Sequence, residues 1–593
     1  MLALDEYCQR VSIGRVLTVC SLFPLGPLLV IVLTEFMPLQ PVEKGPLTNY
    51  VFWIRHTLMG ILILMCAMMQ AKAWIPDMAM TIQQVLAVAI GSSAVYTASN
   101  IVIADLWVFP IPFLVVAGAP LMFIIWAIIS RIVLRPCPLE GVQDGDFRGR
   151  QFLLLTSVHA SLLGLYPAYQ AVFLALEGLL QLGMIALLPA INLALKNLQT
   201  AIGSHLEDNL PEVIIFSIDV FSAIYSVLCM HSANSMKMVA ITMVLNTTVM
   251  FLSLHGMNRR VARACRSFQL MERQLEKLRR RQSVLDSVIT TAGNPALLST
   301  LVDTMLRLLQ APGQLDTTEL QAIRLYSGMP LQLSDTNVAL LDSLAARSVY
   351  NNSRRTTESV SVARMKERYS SAAMEGRPLR ASEIPIPAPS HSIIVRRLRG
   401  AALVIPTTRW LSSRISTRTK TSEKLLPLVS KNNPVIGVVL DETRKQNTRA
   451  IKQTLQLLFN NEYIGLIAYT QCIIPVLYLL YMPALQAMPN HVYYPTHYRY
   501  FGDAIEFEER MTVVGILALL QLLVLVSLQV IVMKRFGIST IYQVAFVLES
   551  RFLLLQGRVL MWLIFAVQST LVHYGRFRLL QQFSSVFEGS DVY

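Results

Sequence analysis

Residues 151–198 are a stretch of 48 mostly apolar positions. As one helix they would extend about 72 Å, more than twice the ~30 Å hydrocarbon thickness of a bilayer. They must therefore cross twice, turning near Glu177 and Gly178. Runs of about 20 apolar residues recur along the chain and read as further transmembrane helices. Charged residues make up only 15% of the sequence, well below the roughly 25% of soluble domains.

Spans are expected over about 16–34, 52–73, 82–104 and 108–134, two within 151–198, then 213–230, 238–256, 463–485 and 512–533. Asp5, Glu6, Arg10 and Arg15 precede the first run, and Pro24 and Pro27 lie inside it. Those features mark a retained span and not a cleaved signal. Trp53 and Trp74 bracket the second span, about 31 Å of helix apart, matching an aromatic at each membrane interface. Residues 539–574 are too long for one span and too short for two. Ile541, Val544, Ala545, Leu548, Phe552 and Leu555 repeat at helical spacing. That predicts a surface or re-entrant helix over 539–557 and a last span over 559–574.

Charge is segregated. Residues 259–452 hold 32 of the 51 Lys and Arg but 15 of the 37 Asp and Glu, a net of +17 that leaves the rest of the chain at −3. Basic residues beside spans mark the cytosolic side. They flank the insert at both ends, and Arg131, Arg135, Arg148 and Arg150 surround the loop after the fourth span. The N-terminus and the insert are thus expected in the cytosol. Residues 488–510 are expected outside, and eleven spans put the C-terminus outside as well. The expected fold is an all-α integral membrane protein of about 11 transmembrane helices, eight and three, split by a basic, largely disordered cytoplasmic insert. Its parts are an N-terminal membrane block (1–258), a juxtamembrane amphipathic helical segment (259–310) and a disordered Ser/Thr-rich insert (311–447). A C-terminal membrane block (448–575) and a tail (576–593) follow. The membrane is the plasma membrane or an endomembrane.

Within the insert, Phe268, Met271, Leu275, Leu278, Leu285 and Ile289 follow a/d spacing, with Gln282 as the one polar core position. Around them stand Arg259, Arg260, Arg263, Arg266, Arg273, Lys277, Arg279, Arg280 and Arg281. This basic amphipathic pattern points to anionic inner-leaflet lipids as the partner, besides the bilayer itself, and not to nucleic acid. A short coiled coil is the competing use of the same apolar face.

Polar residues inside spans are costly and so become site candidates. Asp219 lies among Phe216, Ile218, Val220 and Phe221; it is either a proton or cation site or a structural hydrogen-bonding group. Asn246 reads as a helix–helix hydrogen-bond residue, and Gln471 is a further intramembrane polar candidate. Arg55 and His56 are placed to snorkel at the end of the second span. Glu549 and Arg551 are expected on the wet face of the surface helix. No HExxH, GxSxG, P-loop or nucleotide-binding glycine pattern occurs, so no enzyme and no cofactor is expected. The seven cysteines include no CxxC, so neither a disulfide framework nor a metal site is expected.

Several strings are distinctive: Glu207-Asp208-Asn209-Leu210-Pro211-Glu212 leading to Phe216-Ser217-Ile218-Asp219, Ile474-Pro475, Tyr493-Tyr494-Pro495, Tyr542-Gln543-Val544-Ala545-Phe546-Val547-Leu548-Glu549 and His573-Tyr574-Gly575. Together they resemble an expanded family of multi-spanning membrane proteins of oomycete genomes, over about 151–260 and 460–574. The resemblance implies a membrane location and no reaction. Such proteins often carry two acids early in the ninth span, where this chain has Ala468 and Gln471. Two functions fit the whole: a transporter- or channel-like protein, or a non-catalytic signalling or scaffolding protein working through its basic insert.

Overall fold

The computed structural model describes residues 1–75, 80–134, 145–176, 178–203, 210–232, 333–347, 434–494 and 504–575, with isolated positions between 240 and 309. All of their regular structure is helical. The chain forms two compact units. One comprises Met1–Thr304, Gly328–Gln332 and Gln453–Tyr593; the other comprises Met305–Ser327 and Leu333–Lys452.

Eight helices among the described residues are long and apolar enough to cross a bilayer: Ile13–Glu35, Tyr50–Trp74, Ile82–Leu106, Leu114–Val133, Gly149–Phe173, Leu210–Met230, Asn447–Gln486 and Phe507–Lys534. A pair bent by 89°, Thr540–Ser550 and Phe552–Gln568, makes a ninth if it is one broken span. The chain is therefore a helical protein of membrane character. Most of the expected eighth span, Asn246 included, lies outside the described residues, as do the nine basic candidates between Arg259 and Arg281.

After α1 (Leu2–Arg10), the first candidate span consists of two helices, α2 (Ile13–Leu22) and α3 (Leu25–Glu35), which meet at Phe23 and Pro24. Proline lacks the N–H and crowds the preceding turn, so the break falls there. A long antiparallel pair follows, α4 (Tyr50–Trp74) and α5 (Ile82–Leu106). Thr81 and Gln84 close a capping box at the start of α5, satisfying two of the donors that a helix start leaves free. The two helices approach closely at Gly60. There the Ser93 hydroxyl donates to Thr57 O at 2.7 Å, and a Cβ on Gly60 would collide with Ser93 Oγ. Trp53 and Trp74 are both buried, and the Trp53 indole donates to Pro46 O at 2.9 Å. Both therefore pack within the protein, near the two ends of α4.

The fourth span begins at α6 (Leu114–Ala117) and continues as α7 (Ala119–Val133), later than expected. Pro110 and Pro112 cannot supply ladder N–H groups, so helix starts only beyond them. The expected double crossing becomes two helices, α8 (Gly145–Ala175) and α9 (Gly178–Ile202); of these, only α8 holds a segment counted among the eight, Gly149–Phe173, and Glu177 lies outside the described residues. Next comes α10 (Leu210–Ile214), a π turn over Ile215–Asp219 and α11 (Val220–Ser232), which form one continuous rod. Ninety-four per cent of its apolar window is buried, against 17–61% in the other candidate spans. This rod is the centre of its unit.

Two helices fall within 311–447, the segment expected to be disordered. They are α12 (Asp335–Arg347) and the beginning of α13 (Pro434–Gln486). Leu341 and Leu344, three apart, are buried on α12, a stripe too short to stand out from its Ser/Thr-rich surroundings. Then come α14 (Ala504–Phe536), α15 (Thr540–Ser550) and α16 (Phe552–Gln568). Of the expected surface or re-entrant helix over 539–557, the 89° bend fits a re-entrant loop or a broken span, and the surface alternative is corrected. The break falls at Arg551, and α15 buries Thr540, Gln543, Val544, Ala545, Val547 and Leu548 while packing on α2. Buried side-chain bonds fix it to α13. Asn461 donates to Gln543 at 2.7 Å, and Gln543 donates to Leu458 O at 2.8 Å.

Candidate functional site

The central rod is enclosed by aromatic and aliphatic neighbours. Tyr166 of α8 packs on Phe221 and Tyr225, and Trp562 of α16 meets Phe221 edge-on at 4.7 Å. Val513, Val514 and Leu517 of α14 cover Val227 and Met230. The π turn interrupts this otherwise regular helix. A π turn closes i→i+5 hydrogen bonds and re-aims the residues that it carries. The Trp562 indole donates to Phe216 O, within the turn, at 2.7 Å, so α16 holds the irregularity in place.

Asp219 ends the π turn. Its Oδ1 meets Lys196 Nζ of α9 at 2.6 Å, with the Lys196 and Asp219 side chains 17% and 6% exposed. Asp219 Oδ2 is buried and has no hydrogen-bond partner. Neutral hydrogen-bonding groups flank the pair on the same two helices. Ser217 donates to Gln199 at 3.2 Å, and Asn192 donates to Ser222 at 2.6 Å. Tyr166 donates in turn to Asn192 at 2.6 Å. Asn192, Lys196 and Gln199 stand at i, i+4 and i+7, one face of α9, and that face meets the π turn.

Of the intramembrane candidates, then, Asp219 is in a polar cluster. Asn246 lies outside the described residues. Gln471 is half-buried on α13 and makes no hydrogen bond with the Asp219 group. Sequence reasoning missed Lys196, Asn192 and Gln199. Their signal was present as polar residues at helical spacing in an apolar run. A small apolar cavity of about 20 Å³ lies between Phe221, Tyr225, Pro167 and Phe565, room for about one water. Asp219 does not line it.

A second polar cluster joins α3, α4 and the segment after α13. The Arg55 guanidinium binds the Glu35 carboxylate through two nitrogens, with Nη1 to Oε2 at 3.0 Å. The Tyr494 hydroxyl donates to Glu35 Oε1 at 2.7 Å and accepts from Arg55 at 3.1 Å. Burial, and then the Glu35 carboxylate, raise the Tyr494 phenol above its ordinary value, so it stays a donor. Asn490 donates to the carbonyls of Glu35 and Met37 at 2.7 and 2.8 Å. His56 meets the Tyr574 hydroxyl at 3.2 Å. Arg55 is 1% exposed and His56 7%, so both are core groups; the expected snorkelling is corrected. Arg551 likewise leaves the expected wet face, because it pairs with buried Glu212 at 2.6 Å, while Glu549 pairs with Arg15 at 2.9 Å.

Among the described residues, no group of three or more His, Cys, Asp or Glu side chains could hold a metal ion. Comparison of the chain with protein-family models, with curated proteins and with solved structures gives no match.

Proposed function

We propose that the chain is a transporter-like membrane protein of eleven spans, in which Asp219 exchanges a proton or small cation and Lys196 is its resting counter-ion. The N-terminus and residues 259–452 face the cytosol in this reading, and residues 488–510 face the other side. The observation that carries it is the half-used carboxylate. Asp219 sits in the most enclosed helix, on a π turn, with Oδ1 held by Lys196 and Oδ2 unpartnered. Ionisable groups in membrane helices commonly serve ion and proton pathways, and π turns are frequent at functional sites. A proton or cation reaching Oδ2 neutralises the carboxylate and releases the ammonium, giving two states of one helix pair. The resemblance to multi-spanning membrane proteins supports the location and adds no reaction.

The test is ion movement in reconstituted vesicles under a potassium–valinomycin potential, read by a pH-sensitive dye and, separately, by sodium uptake. Wild-type protein should move one of the two, and Asp219→Asn, which keeps the shape, should abolish it. Equal flux in Asp219→Asn, or no flux of either ion in the folded wild type, overturns the reading. Orientation is tested by a cysteine at Ser353, which should label only after cells are permeabilised.

A further inference from the structure

Arg558 of α16 is 2% exposed, and its Nε, Nη1 and Nη2 are all buried without a hydrogen-bond partner. The guanidinium lies over the Trp74 ring of α4, 5.5 Å from its centre. Arginine carries five N–H donors in one plane and cannot be neutralised by losing a proton. A buried guanidinium in an apolar helix therefore needs a compensating negative charge. The carboxylate that acts on it electrostatically, Glu212, pairs with Arg551 at 2.6 Å, and Glu462 stands near both; neither acid makes a hydrogen bond to Arg558.

The groups around Arg558 are also short of acceptors. Trp74 Nε1, which can only donate, is buried and unpartnered. His159 of α8 stands between two indoles, 6.2 Å from the Trp74 ring and 5.7 Å from the Trp562 ring, and its Nε2 is buried and unpartnered too. The Trp562 indole is already spent on Phe216 O. The three elements thus bring one fixed positive charge and two buried, unpartnered ring nitrogens into one neighbourhood. The contact with the Trp74 ring is a cation–π one and uses none of the guanidinium N–H donors, which stay available to a ligand. Arginine meets carboxylates through such donors.

We infer that Arg558, Trp74 and His159 form a binding site for a small anion, a halide or a short carboxylate. Arg558 supplies the charge, and the Trp74 and His159 ring nitrogens add hydrogen bonds. The site is separate from the Lys196–Asp219 pair, so a chain in which Asp219 moves no ion still binds the anion.

The experiment uses the full-length protein purified in neutral detergent in a sulfate buffer, titrated at constant ionic strength with chloride, and separately with formate. Tryptophan fluorescence and the thermal midpoint are followed. Either anion should give a saturable change in fluorescence and raise the midpoint, as for any ligand that binds only the folded state. Arg558→Met should abolish both responses and, in sulfate alone, unfold no earlier than wild type, because it removes an uncompensated charge. Trp74→Phe keeps an aromatic ring and removes the donor; it should weaken half-saturation about ten-fold. No saturable response to either anion in the wild type overturns the inference. So does an Arg558→Met protein that keeps the response, or one that is destabilised equally in every salt, which would make Glu212 the sufficient partner.

Discussion

Glu35–Arg55 and Lys196–Asp219 are both buried acid–base pairs joining helices of one compact unit, and they differ in how fully their atoms are used. At Glu35 both carboxylate oxygens are engaged by the guanidinium fork, a phenol adds a third bond, and Asn490 ties down the backbone carbonyl. At Asp219 a single ammonium holds one oxygen, and the other has no partner. The backbones differ in the same sense. Glu35 is the last residue of a regular helix, whereas Asp219 lies on a π turn. A planar bidentate array admits one arrangement. A point charge on a flexible stem, against a half-used carboxylate, admits exchange. The first pair is a lock and the second a contact that can be replaced.

Breaking the lock should have the largest effect. Arg55→Ala leaves Glu35 buried without its counter-charge and should destabilise by about 3–5 kcal/mol. Thermal unfolding in detergent reads this. The double change Glu35→Leu with Arg55→Met should recover most of the loss, and a single mutant as stable as wild type would erase the distinction drawn here. Gly575→Ala comes next. Gly575 has φ +74°, and a Cβ there would run into the backbone of Ile111 and Pro112. The strained backbone alone costs about 1–3 kcal/mol, and the collision adds to it; a shortened lifetime against protease would register the change.

The exchangeable pair should be gentler. Asp219→Asn leaves a neutral amide that can still accept from Lys196. It should lower stability by no more than about 1–3 kcal/mol, less than Arg55→Ala in the same assay, while removing ion movement. A loss as large as that of Arg55→Ala would make the pair a second lock. Tyr166→Phe removes only the hydroxyl that bonds Asn192. It should cost about 1 kcal/mol and leave flux measurable, which sets the lower end of the scale.

The site was half legible in the sequence. Asp219 stood out because an acid among Phe216, Ile218, Val220 and Phe221 is expensive in a membrane helix. Lys196 did not, although with Asn192 and Gln199 it marks one face of α9. Arg55 was seen and misread. A cation near the end of a span satisfies a snorkelling pattern whatever its surroundings, and its partners are 20 and 439 residues away in the chain. Arg558 showed nothing distinctive, because its neighbours Trp74 and His159 come from two other helices.

Some features needed only the sequence: the helical class, the membrane character and the division of residues 151–198 between two helices, the second starting at Gly178. Each depends on hydropathy or backbone hydrogen bonding within about 20 neighbouring residues, and a bilayer obliges every apolar segment to satisfy its own backbone. Tertiary structure alone decided which helix became the enclosed centre, where the last bent pair breaks, and which charges meet. Residues 540–550 and the rod at 210–230 are no more apolar than helices left at the periphery. Their burial follows from which side chains interdigitate across helices, and a pairing over hundreds of residues leaves no local pattern to read.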